Sequence, residues 1–172
     1  MDEVLLDTTY LLPVFGVNVG LKNFEKLFPT LLNTSHILYT PISIVEAKWV
    51  VHQLARKTVA QKEKKNILET YRRGLRSLFG DGRLTQTVLT KPEIEEIADQ
   101  LLVEANIPNY FDRTIYATAV YYNVVLLTED QELLNITKKK QLPKPKGAIT
   151  WSDAARSLRL EEEGSVENEG IA

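Results

Sequence analysis

Apolar positions along this chain fall into short continuous runs separated by longer stretches with helical spacing. Val4-Leu5-Leu6 ends on Asp7, Ile37 to Thr40 ends on Pro41, and Val124 to Leu127 ends on Thr128-Glu129-Asp130. Brief apolar and β-branched runs of this kind suit strands covered on both faces. Leu84 to Leu89 and Gly147 to Trp151 bring the expected strands to five.

The stretches between them read as helices. Thr8 and Thr9 offer hydroxyls to a helix start, and Pro13 and Gly16 stop that helix early. Leu21, Phe24, Leu27, Phe28, Leu31 and Leu32 form an amphipathic pattern that Pro29 is expected to kink or break. A long helix is predicted from Ile42 to about Arg56, with Ile42, Val45, Trp49 and Val50 as its core stripe and Glu46 inside that stripe. Arg56 to Leu78 turns Leu68, Tyr71, Leu75 and Leu78 to one side, and Gly80-Asp81-Gly82 signals a turn. Thr90 and Pro92 open a helix to about Glu104, with Glu93 completing a capping box. Pro108 falls in the first turn of another helix, where Ile115, Ala119 and Tyr122 recur at helical spacing. Strands alternating with helices predict an α/β fold: a three-layer α/β/α sandwich around a central, mostly parallel sheet of about five short strands.

The 172 residues fit one domain, placed at 1–158, followed by an acidic tail at 159–172 with too little apolar content to order itself. With no cysteine, thiolate metal sites and thiol nucleophiles are excluded, and His36 and His52 leave little room for imidazole chemistry. The chain opens on acids and its first apolar run is too short for a bilayer, so a soluble, cytoplasmic protein with no membrane partner is expected.

Four acids occupy positions where acids are costly. Asp7 closes the first strand, Asp130 follows the fourth, and Glu46 and Asp112 lie on apolar helix faces. Asp112 precedes Ile115, Tyr116 and Ala119 by three, four and seven residues, which sets its carboxylate on the buried side. Asp7 or Asp130 taken alone is as well explained by helix capping. Buried carboxylates need partners, however, and the runs around these four are apolar or neutral apart from Lys48 and Arg113. A divalent cation with oxygen ligands, Mg2+ or Mn2+, would offset that cost, and such ions promote phosphodiester hydrolysis.

LLDTTYLL at the start, an isolated helical Glu after the second strand, YFDRTIYATAV and VVLLTEDQEL resemble the PIN-domain nucleases over Val4 to Trp151. The family pattern is an Asp with a Ser or Thr two residues on, matched by Asp7 and Thr9. It continues with a helical Glu (Glu46), an Asp opening an Ala-rich helix (Asp112), and a Thr/Ser-x-Asp after the next strand (Thr128, Asp130). The resemblance implies a metal-dependent ribonuclease whose acids bind one or two Mg2+ or Mn2+ ions and cleave RNA. Members are often VapC-type toxins that pair with an antitoxin protein and form homodimers. Asp7, Glu46, Asp112 and Asp130 are then the catalytic metal ligands, with Thr9 and Thr128 orienting them. Glu129 beside Asp130 leaves two candidates for the fourth acid, of which Asp130 holds the motif position.

Two rival enzyme classes fit less well. Aspartate-nucleophile phosphatases need an acid where Thr9 stands, and receiver domains need an acidic pair that Val4-Leu5-Leu6 does not supply. A different kind of rival is a catalytically silent PIN-like module that binds RNA or protein. Net charge is −2, yet Arg56 to Arg76 is strongly basic and Lys138 to Lys146 adds a second basic run. Arg72, Arg73 and Arg76 are candidate RNA phosphate contacts, weighed against an ordinary solvated helix face.

Overall fold

The structure, a computed structural model, describes residues 3–168. Five parallel strands form one sheet in the order β3-β2-β1-β4-β5. They are β1 (Glu3–Leu6), β2 (His36–Tyr39), β3 (Leu84–Gln86), β4 (Val125–Leu127) and β5 (Gly147–Ile149). Register is set by Leu5 lying opposite both Leu38 and Leu126, with β1 at the centre.

Side chains alternate across the sheet, as the strand period requires. Leu5, Leu38 and Leu126 pack with Leu101, Ile115, Tyr116 and Leu133 on one face. That layer is α5 (Pro92–Ala105), α6 (Tyr110–Tyr122) and α7 (Gln131–Ile136). Val4, Leu6, Ile37, Tyr39 and Leu127 pack on the other face with Tyr10, Phe24, Leu31, Val51 and Trp151. There the helices are α1 (Thr8–Leu11), α2 (Phe24–Thr34), α3 (Pro41–Lys57), α4 (Gln61–Gly80) and α8 (Trp151–Asn168). The expected three-layer α/β/α architecture is the one observed. No helix among the described residues is long and apolar enough to cross a membrane.

Several local expectations are corrected. The stripe assigned to α3 is wrong in phase: Val45 and Trp49 are 55% and 61% exposed, and the buried positions are Ile42, Ser43, Ala47, Val51 and Ala55. Small side chains on that face let α1 and α6 approach, so size alone misled. Helix α2 runs through Pro29 unbroken, because Pro29 faces solvent, where water can serve the carbonyl it leaves unpaired. It begins at Phe24 because Asn23 is left-handed, with φ 59°. Strand β3 stops at Gln86, and the cap of α5 is Lys91, since the Thr90 hydroxyl donates to Glu95 instead. Pro108 lies ahead of α6, whose cap is Asn109 accepting from the Phe111 amide at 3.0 Å. Of the segment placed as a tail at 159–172, the backbone to Asn168 belongs to α8, and 169–172 lie outside the described residues.

Candidate functional site

Beyond β1, the chain crosses to β2 on one side, while β4 and β5 lie on the other, so the strand order reverses between β1 and β4. In open parallel sheets the crevice at the carboxyl ends of the strands flanking that reversal is the usual ligand site. Asp7 and the Thr128-Glu129-Asp130 segment both emerge there, tied by a 3.0 Å bond from the Asp7 amide to the Leu127 carbonyl. Helix α3 leaves the end of β2, and α6 runs back toward the start of β4. Their N-terminal turns therefore reach the same end of the sheet, bringing Glu46 and Asp112.

Asp7 is 7% exposed and caps α1. Its Oδ1 accepts from the Thr8 amide at 2.6 Å and its Oδ2 from the Thr128 hydroxyl at 2.6 Å. Burial raises its pKa to about 6, against the pull of those two hydrogen bonds, and the charges of Glu46 and Asp130 push it further up. Asp112, half-buried in the first turn of α6, is raised to about 7. Burial is again the first cause, followed by the charges of Glu46, Asp130 and Asp7. The four acids singled out in the sequence thus stand within electrostatic reach of one another.

The remaining two are held by short bonds. Glu46 Oε2 accepts from the Thr8 hydroxyl at 2.5 Å. Asp130 caps α7, its Oδ1 accepting from the Glu132 and Leu133 amides at 2.7 and 3.1 Å. Thr128 also accepts from the Asp130 amide at 3.0 Å, so one hydroxyl links two acids. Thr9 is half-buried beside this network, and the hydroxyl that reaches a carboxylate is that of Thr8. Sequence reasoning treated Thr8 only as a helix starter; its adjacency to Asp7 was the available signal.

Glu129 is turned elsewhere. Its Oε1 accepts from the Tyr10 hydroxyl at 2.6 Å and from the Trp151 amide at 2.7 Å, on the α8 side of the sheet. Asp130, not Glu129, is the acid whose charge acts on Asp7 and Asp112. Arg72, Arg73 and Arg76 are exposed on α4, with Arg73 donating to Thr70 at 3.2 Å. Arg72 lies close enough to Lys48 to help depress its pKa, though burial is the larger cause there.

The donor set at the crevice is all oxygen, which suits a hard divalent ion. Among the described residues, the ion pairs are His36–Glu3 and Arg83–Asp81, so none involves these four carboxylates. Nor do any three described Asp, Glu or His side chains converge on one coordination point. The fit to a metal therefore rests on the all-oxygen donor set, and Asp7, Glu46, Asp112 and Asp130 are the residues that would hold such an ion.

A model of the PIN domain matches residues 4–139. No curated protein matches the chain. Among solved structures, PAE2754 from Pyrobaculum aerophilum is similar, with 19% identity, 92% of this chain and 96% of that one covered, and a TM-score of 0.59. FitAB bound to an IR36 DNA fragment has 17% identity, coverage of 86% and 94%, and a TM-score of 0.58. VapBC2 from Rickettsia felis, bound to a DNA fragment from its promoter, has 14% identity, coverage of 87% and 98%, and a TM-score of 0.54. At these identities the likeness to the solved structures is one of fold.

Proposed function

This chain belongs to the PIN-domain family, and from that premise we propose that it is a divalent-metal-dependent endoribonuclease. PIN domains are generally nucleases. The observation that carries the reading is the convergence of acidic charge on Asp7 and Asp112. Asp7 and Asp112 are raised to about 6 and 7 first by burial and then in part by the charges of Glu46 and Asp130, and among the described residues no cationic side chain forms an ion pair with any of the four. Helix capping accounts for Asp7 and Asp130 one at a time, but not for the gathering of Glu46 and Asp112 around them.

In this reading Asp7, Glu46, Asp112 and Asp130 hold one or two Mg2+ or Mn2+ ions, directly or through water. Bound there, such an ion activates water and neutralises charge on the scissile phosphate. The chain's own contribution is orientation. Thr128 and the Thr8 amide fix both oxygens of Asp7, Thr8 holds Glu46, and the α7 amides hold Asp130. Such supporting bonds keep ligand carboxylates from reorienting as substrate arrives. Asp112 is the least restrained of the four, with a bond from the Asn109 side chain as the weakest contribution to its pKa. Thr9 stands next to this network without a hydrogen bond to the four acids among the described residues, so the orienting hydroxyls are those of Thr8 and Thr128.

A toxin–antitoxin role with an antitoxin protein as partner is in keeping with the likeness in fold to FitAB and VapBC2, and a homodimer is what the family resemblance implies. The decisive experiment is cleavage of a mixed RNA pool by the purified protein with Mn2+, with Mg2+ and with chelator. Metal-dependent internal cleavage supports the reading. Intact RNA in every condition, with RNA or partner binding retained, would leave a silent binding module.

A further inference from the structure

A cavity of about 560 Å3 lies beside this crevice, between the start of α8 and the loop that leads into α2. Its lining includes Leu21, Lys22, Glu129, Ala155, Arg156 and Arg159. The loop wall is fixed: Trp151 Nε1 donates to the Lys22 carbonyl at 2.9 Å, and Gly20 and Asn23 supply left-handed bends with φ 68° and 59°. Leu21 and Ala155 give an apolar surface, and exposed Lys22, Arg156 and Arg159 add positive charge. Arg156 is also near Asp153, whose carboxyl is held below the usual range first by Thr150 and only weakly by Arg156.

Glu129 joins this cavity to the acid cluster, because it precedes Asp130 directly. Its Oε1 is committed to Tyr10 and Trp151, whereas its second oxygen makes no hydrogen bond among the described residues. The carboxylate of a half-buried residue lining a cavity, with cations around it and an apolar surface, is equipped to accept from a donor through that second oxygen. The polymer that would combine anionic groups for the arginines, an apolar face for Leu21 and Ala155, and a donor edge for Glu129 is a single nucleic-acid strand, RNA on the ribonuclease reading.

We infer that this cavity is a nucleotide subsite for the RNA strand flanking the scissile phosphate, in which Glu129 accepts from the exocyclic amino group of the base. Cytosine offers such a donor, and uracil presents a carbonyl oxygen at the same place. The inference rests on the ribonuclease reading for the strand's identity, but it makes a separate demand: base preference carried by Glu129 and affinity carried by α8.

The test measures binding of short oligocytidylate and oligouridylate to the full chain carrying Asp112→Asn, so that RNA is not consumed, by fluorescence anisotropy across a salt series. Oligocytidylate should bind about tenfold tighter than oligouridylate. Adding Glu129→Gln keeps an amide oxygen for Tyr10 and Trp151 but puts a donor where the free oxygen was, so the preference should vanish or reverse. Arg156→Ser with Arg159→Ser, both at exposed positions that leave the fold intact, should weaken both oligomers similarly and flatten the log–log salt slope by about one. An unchanged base ratio in a folded Glu129→Gln chain would overturn the inference. So would unchanged affinity and salt slope in the arginine variant, whatever Glu129→Gln does to folding. Failure of the nuclease reading looks different: RNA binds with these preferences, yet the unsubstituted protein never cleaves it.

Discussion

Thr128 and Asp7 are separated by 121 positions in sequence, and the hydroxyl of one donates to the carboxylate of the other at 2.6 Å. The bond joins the ends of β1 and β4, the two strands between which the sheet reverses. Thr128 is fully buried, so a replacement that keeps shape and loses the hydroxyl removes this bond together with the one accepted from the Asp130 amide. Thr128→Val should destabilise the protein by ~1–3 kcal/mol, the range for losing a hydrogen bond to a charged buried group. It should also raise the Mn2+ concentration needed for cleavage by about tenfold or more, since Asp7 loses an orienting donor that lowers its pKa. Thr128→Ser retains the donor and should lie much nearer the parent in both urea unfolding and metal titration.

The pH dependence of metal-free stability follows from the two raised carboxyls. Asp7 and Asp112 stand at about 6 and 7 in the folded protein, against an ordinary 3.8. Between about 4 and 7 the folded state binds more protons than the unfolded chain, so its stability falls as pH rises through that window. Asp81 and Asp153, both lowered, contribute the opposite trend at more acidic pH. Urea midpoints measured in chelator should therefore decline from about pH 5 to pH 7, and Mn2+ should flatten that decline. A midpoint that climbs over the same interval would contradict the proposed convergence of the acids.

How far the sequence revealed this site depended on the type of position. Asp7 and Asp130 were legible because a strand ending in an acid is a local pattern, and Asp112 because its helical face was otherwise apolar. Glu46 was picked out through a mistaken stripe: Val45 and Trp49 proved exposed, while Ser43, Ala47 and Val51 are buried. The acid still reaches the crevice because it lies one turn beyond Ile42, on the sheet side. The alternating elements and parallel sheet followed from periodicity, which is a property of each segment. What Glu129 does was not legible, since nothing local distinguishes it from Asp130. Only the long-range bonds to Tyr10 and Trp151 separate their roles.

Arg72, Arg73 and Arg76 offer a second, independent test of RNA contact. All three are exposed on α4, and Arg72 adds to the positive field around Lys48, whose ammonium sits 4.2 Å from the centre of the Tyr71 ring. Replacing the three with Ser should weaken RNA binding and, if each meets one phosphate, flatten the salt slope by about 2. The thermal midpoint should move little, because exposed changes away from packed features rarely exceed ~0.5 kcal/mol each. An unaltered salt slope would return them to a solvated helix face.

Asp112→Asn tests the site most directly. Asp112 is raised first by burial and then by Glu46, Asp130 and Asp7, so at neutral pH its charge is a cost in the metal-free fold. The amide keeps the shape and can still accept from Asn109. The substitution should stabilise the metal-free protein at pH 7 by ~0.5–2 kcal/mol, allowing for solvent screening of a half-buried group. Bound at the proposed site, Mn2+ would stabilise the folded state alone and should raise the melting temperature of the parent. It should raise that of the variant much less, and RNA cleavage should be lost. Four melts decide it: each protein with Mn2+ and with chelator. If the substitution destabilises the metal-free chain and the Mn2+ shift is equal in both, Asp112 serves the fold and is no metal ligand.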